Sequence, residues 1–138
     1  PEIIAAVEQV AGEIFLADYL HTQADLLSHG QKQWLEIGML LIQDPKLMML
    51  DEPVAGMSVA ERQKTAQLLR KIAGGRSVLV IEHDMQVAAC ADWVVDVGPG
   101  AGEAGGDITA QGTPSQVARM RKSLTASWLK DALKTLRS

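Results

Sequence analysis

A chain of 138 residues, 47% hydrophobic and 22% charged, is long enough to pack one domain and too apolar to read as a disordered tail. The net charge of −4 gives no general attraction for nucleic acid, and the single cysteine, Cys90, excludes both an internal disulfide framework and a multi-cysteine metal site. No apolar run reaches the roughly 18 residues of a membrane-spanning helix, and no leader-like segment opens the chain.

The charge is uneven: residues 1–84 hold seven basic and twelve acidic side chains, while 85–138 hold six and five, and after Thr113 only Asp131 opposes six basic residues. A single cysteine fits a reducing compartment, so a cytoplasmic location is expected. A start at Pro1 rather than Met is what a piece of a longer protein would show.

Ile3, Ile4, Val7, Val10, Ala11, Ile14 and Phe15 recur at helical spacing and predict an amphipathic helix over 2–20. From Gln31 to Ile42 the pattern is apolar nearly all round, which predicts a helix buried on most sides and ended by Asp44-Pro45. Leu47–Leu50 reads as a central parallel strand covered on both faces. Helical period returns over 59–73 and closes at Gly74-Gly75. Ser77–Ile81 is the next strand, Met85–Ala91 a short helix, and Trp93–Val97 a third strand. A glycine-rich loop, 98–106, leads to an edge strand over Asp107–Ala110. Thr113 then caps a helix with Pro114 in its first turn. Leu124, Trp128, Leu129, Ala132, Leu133 and Leu136 mark a final amphipathic helix with a basic outer face. Strands alternating with helices mean an α/β layered fold with a mainly parallel sheet. Trp34, Trp93 and Trp128 are expected in the core.

Three segments carry chemistry. Leu27-Ser28-His29-Gly30-Gln31 immediately precedes a helix, where backbone N–H groups and the helix dipole can hold an anion such as a terminal phosphate. A plain Ser28 N-cap explains the same residues. Sixteen residues after Gln31 begins Leu47-Met48-Met49-Leu50-Asp51-Glu52-Pro53, which puts two carboxylates at the C-terminal end of a strand, where open α/β sheets bind ligands. Asp51 could hold Mg²⁺ through water and Glu52 could act as general base, although a strand leaving the core into a polar turn accounts for both. Val80-Ile81-Glu82-His83-Asp84 ends the next strand with a histidine suited to a γ-phosphate or an attacking water. The glycines at 98, 100 and 102 lead toward a strand rather than a helix, so a hairpin-like connection is expected there instead of a dinucleotide site.

Signature loop, helix, strand ending in Asp-Glu, helix and strand ending in His occur in that order, and residues 27–84 thereby resemble the second half of an ABC ATPase. The stretch LSHGQKQWLEIGMLLIQDPKLMMLDEPVAGMS is most similar to the ATP-binding subunit of urea-type and branched-chain amino-acid importers. The resemblance implies that Ser28, His29, Gly30 and Gln31 face ATP bound on a partner's P-loop. It further implies that Asp51 is the Walker B carboxylate for Mg²⁺, Glu52 the catalytic base and His83 the switch residue. Ala55–Ser58 would be the D-loop at the dimer interface. His29 stands where glycine is commoner, and Ser58 where many ABC proteins have aspartate.

Residues 85–138, from Ala91-Asp92-Trp93 through the glycine-rich loop to Gly112-Thr113-Pro114, resemble instead the C-terminus of UvrA-type excision-repair ATPases. A join near Val80–Met85, natural or engineered, is one expectation, and a single divergent ABC protein the other. The organisation expected is the end of a helical subdomain over 1–26, a signature, Walker B and switch-histidine core over 27–84, and a strand–loop–strand with basic helices over 85–138.

No Gly-x-x-x-x-Gly-Lys-Ser/Thr occurs, so the fold expected is a partial ABC ATPase, P-loop NTPase-like, without its N-terminal P-loop half and inactive toward ATP alone. Its partners would be a P-loop-bearing ABC half or second ATPase subunit, with transmembrane permease subunits if the parent work is solute import. An uncovered sheet edge favours oligomerisation. Two alternatives stand beside import: a UvrA-like repair ATPase contacting DNA through the basic face of the last helix, and a folded segment without activity.

Overall fold

Residues 1–100 and 105–136 are described by the computed structural model, and contacts divide the chain into a first unit, Pro1–Ile81, and a second, Glu82–Ser138. In the first, helix α1 covers Glu2–Glu13 and α2 covers His29–Leu41, with two short 3-10 turns at Ala17–Tyr19 and Ala24–Leu26 between them. The helix expected to reach residue 20 stops early because Phe15 turns left-handed (φ 63°) and the Leu16 N–H closes back on the Ala11 carbonyl at 2.8 Å. That is the six-to-one bond of a Schellman end, with an aromatic residue where glycine is usual. The Phe15 ring meets Trp34 edge-on at 5.1 Å between centroids, a contact that offsets part of the left-handed strain.

Strand β1 (Leu47–Asp51) pairs in parallel with β2 (Ser77–Ile81), in register from Leu47 with Ser77 to Asp51 with Ile81. Helix α3 (Val59–Ile72) makes the crossover, giving a βαβ unit. Met48 and Leu50 face the core with Trp34, Ile37, Leu41, Leu68, Leu69 and Ile72. The Trp34 indole N–H donates to the buried Thr65 hydroxyl at 2.9 Å, which in turn donates to the Glu61 carbonyl at 2.8 Å. The pair locks α2 to α3 through a satisfied polar contact in the interior. Burial on both faces, expected for β1, is not found: Leu47 is 53% and Met49 64% exposed, as are Leu79 and Ile81 in β2 at 50% and 59%. Helices of this unit cover one face of the pair only. Likewise Met39 on α2 and Ile42 at its C-terminal cap are exposed, so that helix is buried along a stripe and not all round.

The second unit holds α4 (Met85–Ala89), β3 (Val94–Val97), β4 (Ile108–Gly112), α5 (Pro114–Val117) and α6 (Ala126–Thr135). Strands β3 and β4 are antiparallel, and the Gly98 N–H donates to the Asp107 carbonyl at 2.9 Å. The glycine-rich segment therefore joins two paired strands, as expected of a hairpin connection; its centre, 101–104, lies outside the described residues. The fold is thus α/β, with one parallel and one antiparallel strand pair among the described residues. Val117 and Leu129 centre a small core with Ala89, Ala110 and Ala132. Beneath it the buried Asp96 carboxylate accepts from the hydroxyls of Ser123 and Thr125. Trp34 is in the core, but Trp93 and Trp128 are 57% and 69% exposed, outside the small core that Val117 and Leu129 centre. Among the described residues no helix is long and apolar enough to cross a membrane.

Thr65→Val keeps the shape of residue 65 and strands the Trp34 N–H. Urea unfolding should show a loss of about 1–3 kcal/mol, and Thr65→Ser should restore most of it.

Candidate functional site

The sequence LSHGQ folds at the start of α2 because Ser28 is an N-cap. Its Oγ accepts from the Gln31 N–H at 3.2 Å and its own N–H donates to Gln31 Oε1 at 2.9 Å, completing a capping box. The structural explanation of Ser28 thus holds, and it leaves the Ser28 hydroxyl proton available as a donor toward an anion. His29 is exposed, and its Nε2 lies 2.9 Å from the Ala55 carbonyl oxygen. Gly30 is buried for a steric reason: a Cβ there would fall 2.4 Å from Glu61 Oε1 and 2.9 Å from Glu61 Cδ.

Glu61 is a residue the sequence reading missed. Its carboxylate accepts from the Ser58 N–H and hydroxyl, both at 2.8 Å, and closes the capping box of α3. The Ser58 backbone N–H, and then its hydroxyl, hold the Glu61 carboxyl below its ordinary value, with smaller electrostatic help from the neighbouring His29 and Lys64. The spacing Ser-x-x-Glu at 58–61 was the available signal.

Asp51 ends β1 and is exposed. Glu52, also exposed, turns left-handed (φ 47°), while its N–H adds one more rung to the ladder by donating to the Ile81 carbonyl at 2.8 Å. The Ala55 N–H returns to the Glu52 carbonyl at 3.1 Å. A continuous path therefore runs from the start of α2 through His29 and Ala55 to Glu52. The signature segment and the acidic strand end, expected to act together, share one unit. His83 falls in the second unit, two residues after β2 ends. Its side chain is 80% exposed, with Nδ1 3.9 Å from Glu82 Oε2. Glu82, also missed, is nearly buried and accepts from the His83 and Asp84 N–H groups at 2.8 and 3.1 Å, shaping the backbone that carries the histidine. Asp84 caps α4, accepting from the N–H groups of Gln86 and Val87.

Among the described residues no three His, Cys, Asp or Glu side chains gather as a metal cage. One exposed carboxylate at a strand end fits Mg²⁺, which takes one or two protein carboxylates and completes its shell with phosphates and water.

Residues 2–55 match the family model described as ABC transporter. UvrABC system protein A of Streptococcus pyogenes serotype M1 is 40% identical over 113 residues, covering 80% of this chain and 12% of that protein. The crystal structure of UvrA2 from Deinococcus radiodurans superposes over 94% of this chain and 16% of its own, with 38% identity and a TM-score of 0.76. The chain carries part of an ABC-type ATPase fold, with a UvrA-like sequence. MJ1267, an ATP-binding cassette of an ABC transporter, in its ADP conformation, matches 69% of this chain and 38% of its own at 27% identity and a TM-score of 0.61. The segment spans 12–13% of the length of these curated UvrA relatives.

An alignment of 113 residues is longer than either 1–84 or 85–138, so the UvrA likeness runs across the expected join. The change of character near Val80–Met85 needs no junction to explain it.

Glu61→Gln should destabilise the chain near neutral pH. Because folding lowers the Glu61 carboxyl value, its contribution is present above the unfolded value of about 4.3 and fades as pH falls through the folded one. Denaturant titrations at pH 7 and pH 3 should therefore show wild type and Glu61→Gln converging in acid.

Proposed function

We propose that this chain is the signature-bearing part of a UvrA-type ABC ATPase, acting on ATP held by a P-loop that it does not itself contain. What supports the reading is the UvrA likeness over 80% of the chain, extending through both the α2 start and the β1–β2 strand ends. Ser28, His29, Gly30 and Gln31 offer the amino end of α2, with its partial positive charge, to the terminal phosphate. Asp51 orients the water shell of Mg²⁺, and Glu52, one residue beyond the strand, accepts the proton of the attacking water. His83, just past the end of the next strand, offers an imidazole of the kind that contacts a γ-phosphate. Bound Mg²⁺ would supply charge neutralisation on the phosphates.

The P-loop-bearing partner would be another part of the same ATPase or a second subunit. It would also cover the exposed apolar face made by Leu47, Met49, Leu79 and Ile81, since a parallel pair is ordinarily buried on both sides. Assembly through that sheet follows from the same exposure, and a cytoplasmic setting fits the single cysteine. DNA is the polymer this reading implies. The basic face is narrower than its composition suggests, because Lys134 is paired with Asp131 at 2.8 Å. Arg119, Arg121 and Lys122, which lie between α5 and α6 and not on the last helix itself, are exposed and carry the contact.

A second reading, ATP-driven solute import with permease subunits, draws on the transporter family match over 2–55 and on the fold shared with MJ1267. The two separate experimentally. Under the repair reading the chain, joined with a P-loop-bearing segment, is retained on DNA in a salt-sensitive way, and neutralising Arg119, Arg121 and Lys122 abolishes retention. Under the import reading that triple variant changes nothing and a permease subunit is co-purified instead.

ATP turnover should be absent for the chain alone and appear on mixing with a P-loop-bearing segment. Glu52→Gln should then lower kcat by about a hundredfold or more, with little change in KM. Turnover that survives this substitution would remove Glu52 from its role.

A further inference from the structure

Two consecutive residues at the start of α2 grip the two ends of the loop that follows Glu52. His29 reaches the first end, with Nε2 2.9 Å from the Ala55 carbonyl oxygen. Beside it, Gly56 is left-handed (φ 70°), and the place of its missing Cβ is 3.0 Å from His29 Nε2 and 3.1 Å from Cδ2. The ring thus occupies space that any side chain at 56 would claim. Gly30 serves the other end, where its missing Cβ makes room for the Glu61 carboxylate that holds the Ser58 N–H. A glycine at 29, the residue commoner in this motif, could make no such bond.

We propose that His29 is a positioning residue that clasps loop 55–58 to the amino end of α2, so that the phosphate-facing turn and the loop are presented as one preorganised surface. The carbonyl of Ala55 can only accept, so Nε2 must carry the proton. The neutral ring is therefore held as the Nε2–H tautomer, and protonation of the ring leaves the bond in place. The contact extends toward the acid end of the strand, because the Ala55 N–H is bonded to the Glu52 carbonyl. A clasp of this kind places Glu52 and Ser28 on a common support whose internal geometry does not depend on nucleotide. Its role in turnover rests on the ATPase reading above; the clasp itself does not.

The test uses the full chain as wild type, His29→Ala and His29→Gln, since glutamine carries an amide N–H at nearly the reach of Nε2. Amide exchange of Ala55, Met57 and Ser58 should quicken roughly three- to tenfold in His29→Ala, the worth of one hydrogen bond, and return to within about twofold of wild type in His29→Gln. Amides of α1 should not change in either variant, which separates a local release from a general loss of fold. Nitrogen chemical shifts should report the Nε2–H tautomer. Unchanged exchange in His29→Ala, or a neutral ring with its proton on Nδ1 and none on Nε2, overturns the clasp.

With a P-loop-bearing segment added, His29→Ala should lower kcat about tenfold with KM for ATP within about twofold, and His29→Gln should recover most of it. Equal kcat for all three proteins, with exchange quickened in His29→Ala, overturns the positioning role. Absence of turnover in wild type itself strikes the ATPase reading and leaves the exchange result to decide the clasp.

Discussion

The structure of the first unit depends on one backbone hydrogen bond beyond the last ladder pair, from the Glu52 N–H to the Ile81 carbonyl at 2.8 Å. It makes β1 turn while still tied to β2, and the turn is left-handed, which costs a non-glycine residue about 1–2 kcal/mol. Two neighbouring acids are therefore sent in different directions: Asp51 stays in register with Ile81, and Glu52 leaves the strand. A residue held in a sparsely populated conformation persists only where its surroundings over-determine it. Here the ladder bond on one side and the Ala55 N–H on the Glu52 carbonyl on the other provide that constraint.

Capping supplies the second level of order. Helices α2, α3 and α5 all begin with the same reciprocal device, Ser28 with Gln31, Ser58 with Glu61, and Thr113 with Gln116. In the first two the caps are also neighbours, since Glu61 occupies the space left by Gly30. One set of residues thus stabilises the helices and aligns their amino ends. For Ser28 the choice between a structural cap and an anion contact is therefore not exclusive. A hydroxyl whose lone pair accepts from Gln31 is already aimed, and alignment of the helix start is what a phosphate contact requires.

Much of this was legible in the residues. The run Leu47–Asp51, the strand Ser77–Ile81 and the helix between them show their periods plainly, and the βαβ order follows. Legibility failed where one residue broke a local preference. Phe15 stands where a helix-ending glycine would have announced the stop, and its compensation, the Trp34 ring, is distant in sequence. The apolar pattern of α2 and β1 likewise overstated burial, because hydrophobicity records what a face is suited to meet and not whether this chain supplies it. At the candidate site, Ser28, His29, Gly30, Gln31, Asp51, Glu52 and His83 could be proposed from order and spacing. Glu61 had a signal in the Ser-x-x-Glu spacing of a capping box, but its place in the space left by Gly30 exists only after folding; Glu82, which acts on the backbone N–H groups of His83 and Asp84, had none.

The two unfinished surfaces of the first unit are unfinished in different ways, and the difference bears on how an ATPase would be built around it. The outer face of β1 and β2 presents Leu47, Met49, Leu79 and Ile81, apolar groups whose burial is favourable at about 25 cal/mol per Å² and has no built-in means of reversal. The amino end of α2 presents polar donors on a clasped support, whose attraction for a phosphate depends on charge that hydrolysis changes. Cover for the sheet is therefore suited to a lasting neighbour, and the helix end to one that comes and goes with the nucleotide. A chain with both surfaces can keep its association while changing the engagement of its active rim, provided that the rim moves as a body. Under the proposed reading the contact at His29 would meet that proviso, because it joins the amino end of α2 to the loop after Glu52 without involving the sheet's exposed face.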